Sequence, residues 1–163
     1  LPIYEVSPDP LGPEPAQEFV ELLNFGDQTI DIMRFSITSD PSETGRSIVT
    51  PLRVEPGERV LLVGPTFDPG DPSDGALPAG VRVARLDGSL SLRNDGEALY
   101  LRDPRGARVA AVTRRAPDFA GQCLGHLEGT PREQLVPDPT GGCTPGAGTR
   151  EPAGREPAGR EDP

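Results

Sequence analysis

Apolar and polar side chains alternate with period two at several places along this chain. Phe19 and Glu21 stand against Val20 and Leu22, and the pattern recurs at Ile30-Asp31-Ile32, at Phe35 and Ile37 against Ser36 and Thr38, at Val81-Arg82-Val83 and at Ser89-Leu90-Ser91-Leu92. Period two sends alternate side chains to opposite faces, as a half-buried sheet requires. Ile3-Tyr4-Glu5-Val6 reads as a further strand, and the wholly apolar Val60-Leu61-Leu62-Val63 predicts one covered on both faces. Turn signals punctuate the strands. Glu55-Pro56-Gly57-Glu58 places Pro and Gly at the centre of a type II turn, and Asp103-Pro104-Arg105-Gly106 suits a type I turn. Asn94-Asp95-Gly96 reads as a three-residue hairpin loop with Gly in the left-handed position. About eight or nine short strands joined this way predict an all-β sandwich or barrel.

Two longer segments interrupt the pattern, Ser7 to Ala16 and Pro65 to Gly80, both rich in Pro, Asp and Gly. Surface loops accept insertion at small entropic cost, so both read as tolerated insertions. From Pro117 the alternation stops. Thr130-Pro131-Arg132-Glu133 has capping-box spacing, but Pro137 limits any helix to a turn or two. After Thr149 the sequence repeats Arg-Glu-Pro-Ala-Gly, with no apolar side chain larger than Ala, and is expected to be a disordered spacer. The expected organisation is a sandwich over 1–116, an irregular extension packed on it over 117–149, and a linker over 150–163.

Composition agrees with short strands and tight turns: the 163 residues include 21 Pro and 20 Gly, and 34% are apolar. The formal charge is −10, with sixteen Arg and no Lys. An acidic surface repels phosphate backbones, so nucleic-acid binding is unlikely, while basic or cation-bridged partners are favoured. No apolar run is long enough to span a bilayer. The chain opens on Leu1 with a strand pattern directly behind it, so it reads as a mature or excised piece whose targeting segment lies elsewhere. Its two cysteines, Cys123 and Cys143, are an even count with none left over, which predicts a disulfide and an oxidising compartment.

The order and spacing of the motifs resemble the lamin tail domain family over residues 3–115. Ile3-Tyr4-Glu5-Val6 is similar to the first strand, and Glu18-Phe19-Val20-Glu21-Leu22-Leu23-Asn24 to the family's most recognisable motif, an acidic-aromatic-aliphatic strand closing on Asn. Ile30 to Ile37 resembles the following strand pair. Leu52 to Val63, with Pro56 and Gly57, resembles the apolar strand behind its turn, and Leu90 to Leu101, with Asn94 and Gly96, the closing hairpin. The sequence departs from the family at Arg34, where many members carry Gly or another small residue, and in having no Trp. The resemblance implies an immunoglobulin-like β-sandwich. It also implies a non-catalytic binding or tethering module of a bacterial cell-surface, periplasmic or secreted protein. A structural subunit of a surface assembly or filament, or an accessory domain of a larger hydrolase, are the alternatives it leaves open.

Candidate chemistry is sparse, and no cofactor is expected. The single His126 excludes a multi-histidine metal site, and Cys123, His126 and Cys143 lack a group marked to orient the imidazole for nucleophilic work. Glu18 and Glu21, three apart on a strand, face opposite sides and cannot pair as acid and base; one exposed carboxylate and one hydrogen-bonded near the strand end are expected. Arg114-Arg115 reads as a solvated strand end. Asp68, Asp71 and Asp74 offer hard oxygen ligands on one loop, a weak calcium candidate, but their spacing is not that of an EF-hand and the intervening prolines restrict convergence. The expected partner is a protein or surface polymer, with self-association possible.

Overall fold

The structure is a computed structural model that describes residues 1–127 and 129–146; the repeat expected as a linker at 150–163 lies outside them. The described residues are all β, with no helix. The strands are β1 (Ile3–Ser7), β2 (Phe19–Leu23), β3 (Ile30–Asp31), β4 (Ser36–Thr38), β5 (Arg46–Ser47), β6 (Arg53–Val54), β7 (Arg59–Val63), β8 (Val83–Arg85), β9 (Glu97–Arg102), β10 (Arg108–Arg114), β11 (Leu124–Gly125) and β12 (Gln134–Pro137). Ten form one curled sheet in the order β5-β4-β9-β10-β12-β11-β1-β2-β7-β8, and β3 pairs with β6 beside it. Pairing is antiparallel except at β10–β12 and β7–β8.

Curling brings the half built on β4, β9 and β10 over the half built on β1, β2 and β7. Val6, Val20, Leu22 and Leu62 from one half share a single core with Ile37, Leu99, Leu101 and Val112 from the other. The two end strands also meet. Ile48, just past β5, bridges Leu86, just past β8, with Val49 N–H to Arg85 C=O and Asp87 N–H to Ser47 C=O both at 2.9 Å.

The turns lie where their residues require. Glu58 N–H reaches Glu55 C=O at 3.0 Å with Gly57 at φ +80°, and Gly106 N–H reaches Asp103 C=O at 2.9 Å. Two expectations fail. Ser89-Leu90-Ser91-Leu92 is not a strand: Ser91 sits at φ +51°, and Leu92 donates its N–H to the Glu18 carboxylate at 2.9 Å instead of to a ladder. The hairpin there is consequently β9–β10 across the Asp103–Gly106 turn. The segment after Pro117, expected to be irregular, supplies β11 and β12, which join the two halves. Its candidate helix start is a turn, Gln134 N–H to Pro131 C=O at 3.0 Å, because burying Leu135 completely against the core outweighs local capping propensity.

Candidate functional site

Alternation along the strands gives β1, β2 and β7 a second, outward face. Opposed residues share a face, so Ser7 stands beside Phe19 and Phe19 beside Val63, while Glu5 stands beside Glu21 and Glu21 beside Leu61. This face is not solvated. Phe19, Leu61, Val63, Phe67 and Cys123 form a second apolar cluster on it, joined by Leu77, Val81, Val83 and Cys143. That cluster explains why β7 is apolar from Val60 to Val63.

What covers the face is the 65–80 loop together with the strap 141–146. Cys143 of the strap is joined to Cys123, with Cα atoms 5.1 Å apart. The Glu5 carboxylate accepts hydrogen bonds from the Thr144 N–H at 3.0 Å and the Thr144 hydroxyl at 2.7 Å. Glu21 accepts from Gly146 N–H at 2.6 Å and from Arg59 Nη1 at 2.7 Å. Glu5 is 1% exposed and Glu21 fully buried. Burial disfavours their charged forms, pushing Glu5 up to about 7 and Glu21 upward despite its bonds to Gly146 and Arg59. The expectation of an exposed carboxylate in the Glu18–Glu21 pair is overturned: Glu18 is also buried, and burial raises it to about 7.

The two long loops, read from sequence as unrelated insertions, are locked together. Asp74 accepts from the Leu11 N–H at 2.6 Å and the Gly12 N–H at 2.8 Å, and Gln17 Nε2 donates to the Asp68 carbonyl at 3.1 Å. Gly12 permits this approach, since a Cβ there would lie 2.7 Å from Asp74 Oδ2. Between the loops and the strap lies a cavity of about 410 Å³, within the range of small-ligand sites. Phe19, Phe67 and Leu77 give it an apolar floor, Asp68, Asp71 and Asp74 an acidic rim, and among the described residues no cationic side chain lines it.

The other sequence candidates are accounted for by structural contacts. Asp68 and Asp71 each close a local turn, accepting from Gly70 N–H at 2.9 Å and Ser73 N–H at 2.8 Å. Among the described residues, only Glu5, Cys123 and Cys143 form a group of three or more potential metal donors within 4.8 Å of one another, and its sulfurs are tied up in the disulfide. The Asp68, Asp71 and Asp74 carboxylates form no such group. His126 Nε2 lies 3.2 Å from the Ile3 carbonyl, with its ring centroid 5.5 Å from that of Tyr4, and both sulfurs are held in the disulfide. Arg114, expected to be solvated, is buried and paired with Glu97 at 2.7 Å while donating to the Arg93 carbonyl. Asn24 is fully buried and ties the loop after β2 to β6, donating to Gln28 C=O and Val54 C=O, both at 2.9 Å, and accepting from Gly26 N–H at 3.0 Å. Gly96 sits at φ +94°, where a Cβ would come within 2.9 Å of the Arg114 carbonyl, and Asn94 reaches Glu14 at 3.3 Å.

Sequence reasoning missed Glu5, Ser7 and Gln17, because their roles depend on which distant segment covers the β1–β2 face. No protein-family model matches the chain, and no curated protein matches it.

Proposed function

We propose that this chain is a non-catalytic binding or tethering module of an extracytoplasmic bacterial protein, built on an immunoglobulin-like sandwich of the lamin tail type. The observation that carries this reading is the cavity: two loops otherwise without a task are fastened to each other by Asp74 around an apolar floor. Among the described residues its lining sets no His beside the Ser7 hydroxyl, and its three carboxylates are engaged by backbone amides, which supports a role in holding a group over one in transforming it. The disulfide that closes the strap supports an oxidising compartment.

Two further features favour the lamin-tail resemblance. The motif's terminal Asn is the residue that ties the loop after β2 to β6. Arg34, in the position where the family often has Gly, sits at φ +67°, the backbone region in which Gly carries no steric penalty.

The test is capture of partners from envelope fractions by the full chain and by Ala76→Trp, which places a large side chain on the exposed lip of the cavity. Capture should be lost with Ala76→Trp and retained by Arg108→Glu, a change on the exposed part of β10. Equal capture by all three proteins would move binding away from the cavity. Turnover of ester, phosphate or peptide substrates that disappeared in His126→Ala would overturn the non-catalytic part.

A further inference from the structure

The cavity's chemistry narrows what can occupy it. Its floor is aromatic and aliphatic, but Ser7 breaks the floor with a hydroxyl: the residue is 3% exposed, lines the cavity, and has no side-chain hydrogen bond among the described residues. The rim carries three carboxylates. Both Asp74 oxygens are occupied by the Leu11 and Gly12 amides. Asp71 is engaged by the Ser73 amide and by the Ser73 and Gln17 side chains, while Asp68 engages one oxygen with the Gly70 N–H and leaves the other available to a ligand. At the mouth, Leu11 is 62% exposed and Phe119 55% exposed. Leu11 packs over Gly121 and Phe119 over Gly141, and both glycines line the cavity.

We infer that the cavity binds the arginine or lysine side chain of a partner polypeptide, with apolar residues of the partner seated on Leu11 and Phe119; this rests on the reading of the cavity as the binding site. The methylene stem lies over Phe19, Phe67 and Leu77, and the cationic head donates to the free oxygen of Asp68 beside the Asp71 charge. A long cationic side chain is amphipathic in this sense, apolar along its stem and charged at its tip. An anion is excluded by the rim, and a purely apolar group would desolvate the carboxylates without compensation. A free cation would meet the rim alone. A polypeptide also covers the apolar mouth, which is the arrangement of an anchor side chain ringed by water-excluding contacts. The chain's charge of −10 steers such a partner toward it.

The test is an amide-resolved NMR titration of the full chain with three probes: the blocked peptide Ac-Ala-Leu-Arg-Leu-Ala-NH2, the same peptide with neutral citrulline for arginine, and agmatine. The arginine peptide should shift the Gly12, Gly75 and Gly142 amides. The citrulline peptide and agmatine should each bind weaker by about tenfold, one lacking the charge and the other the flanks. Asp68→Asn with Asp71→Asn keeps an acceptor for each turn while removing both charges, and should weaken the arginine peptide about fivefold and flatten its salt dependence. Equal binding of the citrulline peptide at the same amides would overturn the cationic ligand while leaving the cavity as the binding site. Agmatine binding as tightly as the peptide would overturn the polypeptide partner. Shifts confined to other surfaces, or none with any probe, would overturn the inference as a whole.

Discussion

At the scale of single residues, the local costs in this protein sit at identifiable positions. Arg34 holds φ +67°, a conformation disfavoured for any residue with a Cβ. Arg34→Gly should therefore stabilise the fold by about 1 kcal/mol, the relief of that strain less the added entropy of glycine in the unfolded chain, and chemical denaturation checks it. Glu5 is the larger case. Its folded value near 7 lies above the ordinary carboxyl range because burial disfavours the charged form. A group raised on folding binds its proton more tightly in the native state. Its contribution to stability is complete below about pH 4.5 and is lost as pH rises through about 7. Glu18 titrates in the same sense and the same window. The protein should thus lose stability between about pH 4.5 and 8, with Glu5 alone responsible for up to roughly 3 kcal/mol. Glu5→Gln keeps an acceptor for Thr144 and cannot ionise, so it should raise stability at pH 8 by about 2 kcal/mol and flatten the profile. A melting temperature for Glu5→Gln that falls at pH 8 would show that the charged form is needed there.

At the scale of elements, the strap and the two long loops cover the outer β1–β2–β7 face as one layer. The disulfide closes a sequence separation of 20 residues, for which chain entropy gives about 3 kcal/mol. Replacing both cysteines by Ser should remove that amount, and should also weaken the pH dependence, because a loosened strap admits water to Glu5. Thermal melts of the variant at pH 5 and pH 8 test both effects together. How much of this was legible in the sequence follows from the range of each interaction. The strands Phe19–Leu23 and Arg59–Val63 and the turns at Pro56-Gly57 and Asp103–Gly106 are written locally, in alternation and turn chemistry, and they stand where the pattern puts them. β11 and β12 run for only two and four residues, too short to show a period, and are fixed by pairing with β1 and β10. The cavity was illegible for a related reason. Asp74 and Leu11 are 63 residues apart, and nothing in either loop announces the other.

The whole molecule is governed by how the curled sheet ends. A sheet edge carries unpaired backbone groups that recruit other strands, and proteins must protect or close it. Here the two end strands protect each other: past β5 and β8, Ile48 bridges Leu86, and Ser47 N–H adds a bond to the Asp87 carboxylate at 3.1 Å. Ile48 is buried at this seam, so it belongs both to the core and to the closure. The two functions separate by mutation. Asp87→Ala removes the acceptor of Ser47 N–H and leaves the core intact. It should cost about 1 kcal/mol and accelerate hydrogen exchange at the Ser47 and Val49 amides, with Leu22 and Leu101 unaffected. Ile48→Ala removes core volume as well, and should cost about 2–5 kcal/mol with faster exchange throughout. If the seam is what keeps the chain from adding strands in trans, Asp87→Ala should also self-associate at concentrations where the parent stays dispersed. Sedimentation of the two proteins side by side decides this. Unchanged exchange at Val49 together with unchanged sedimentation would mean that the bridge is incidental and that the edges are protected by twist alone.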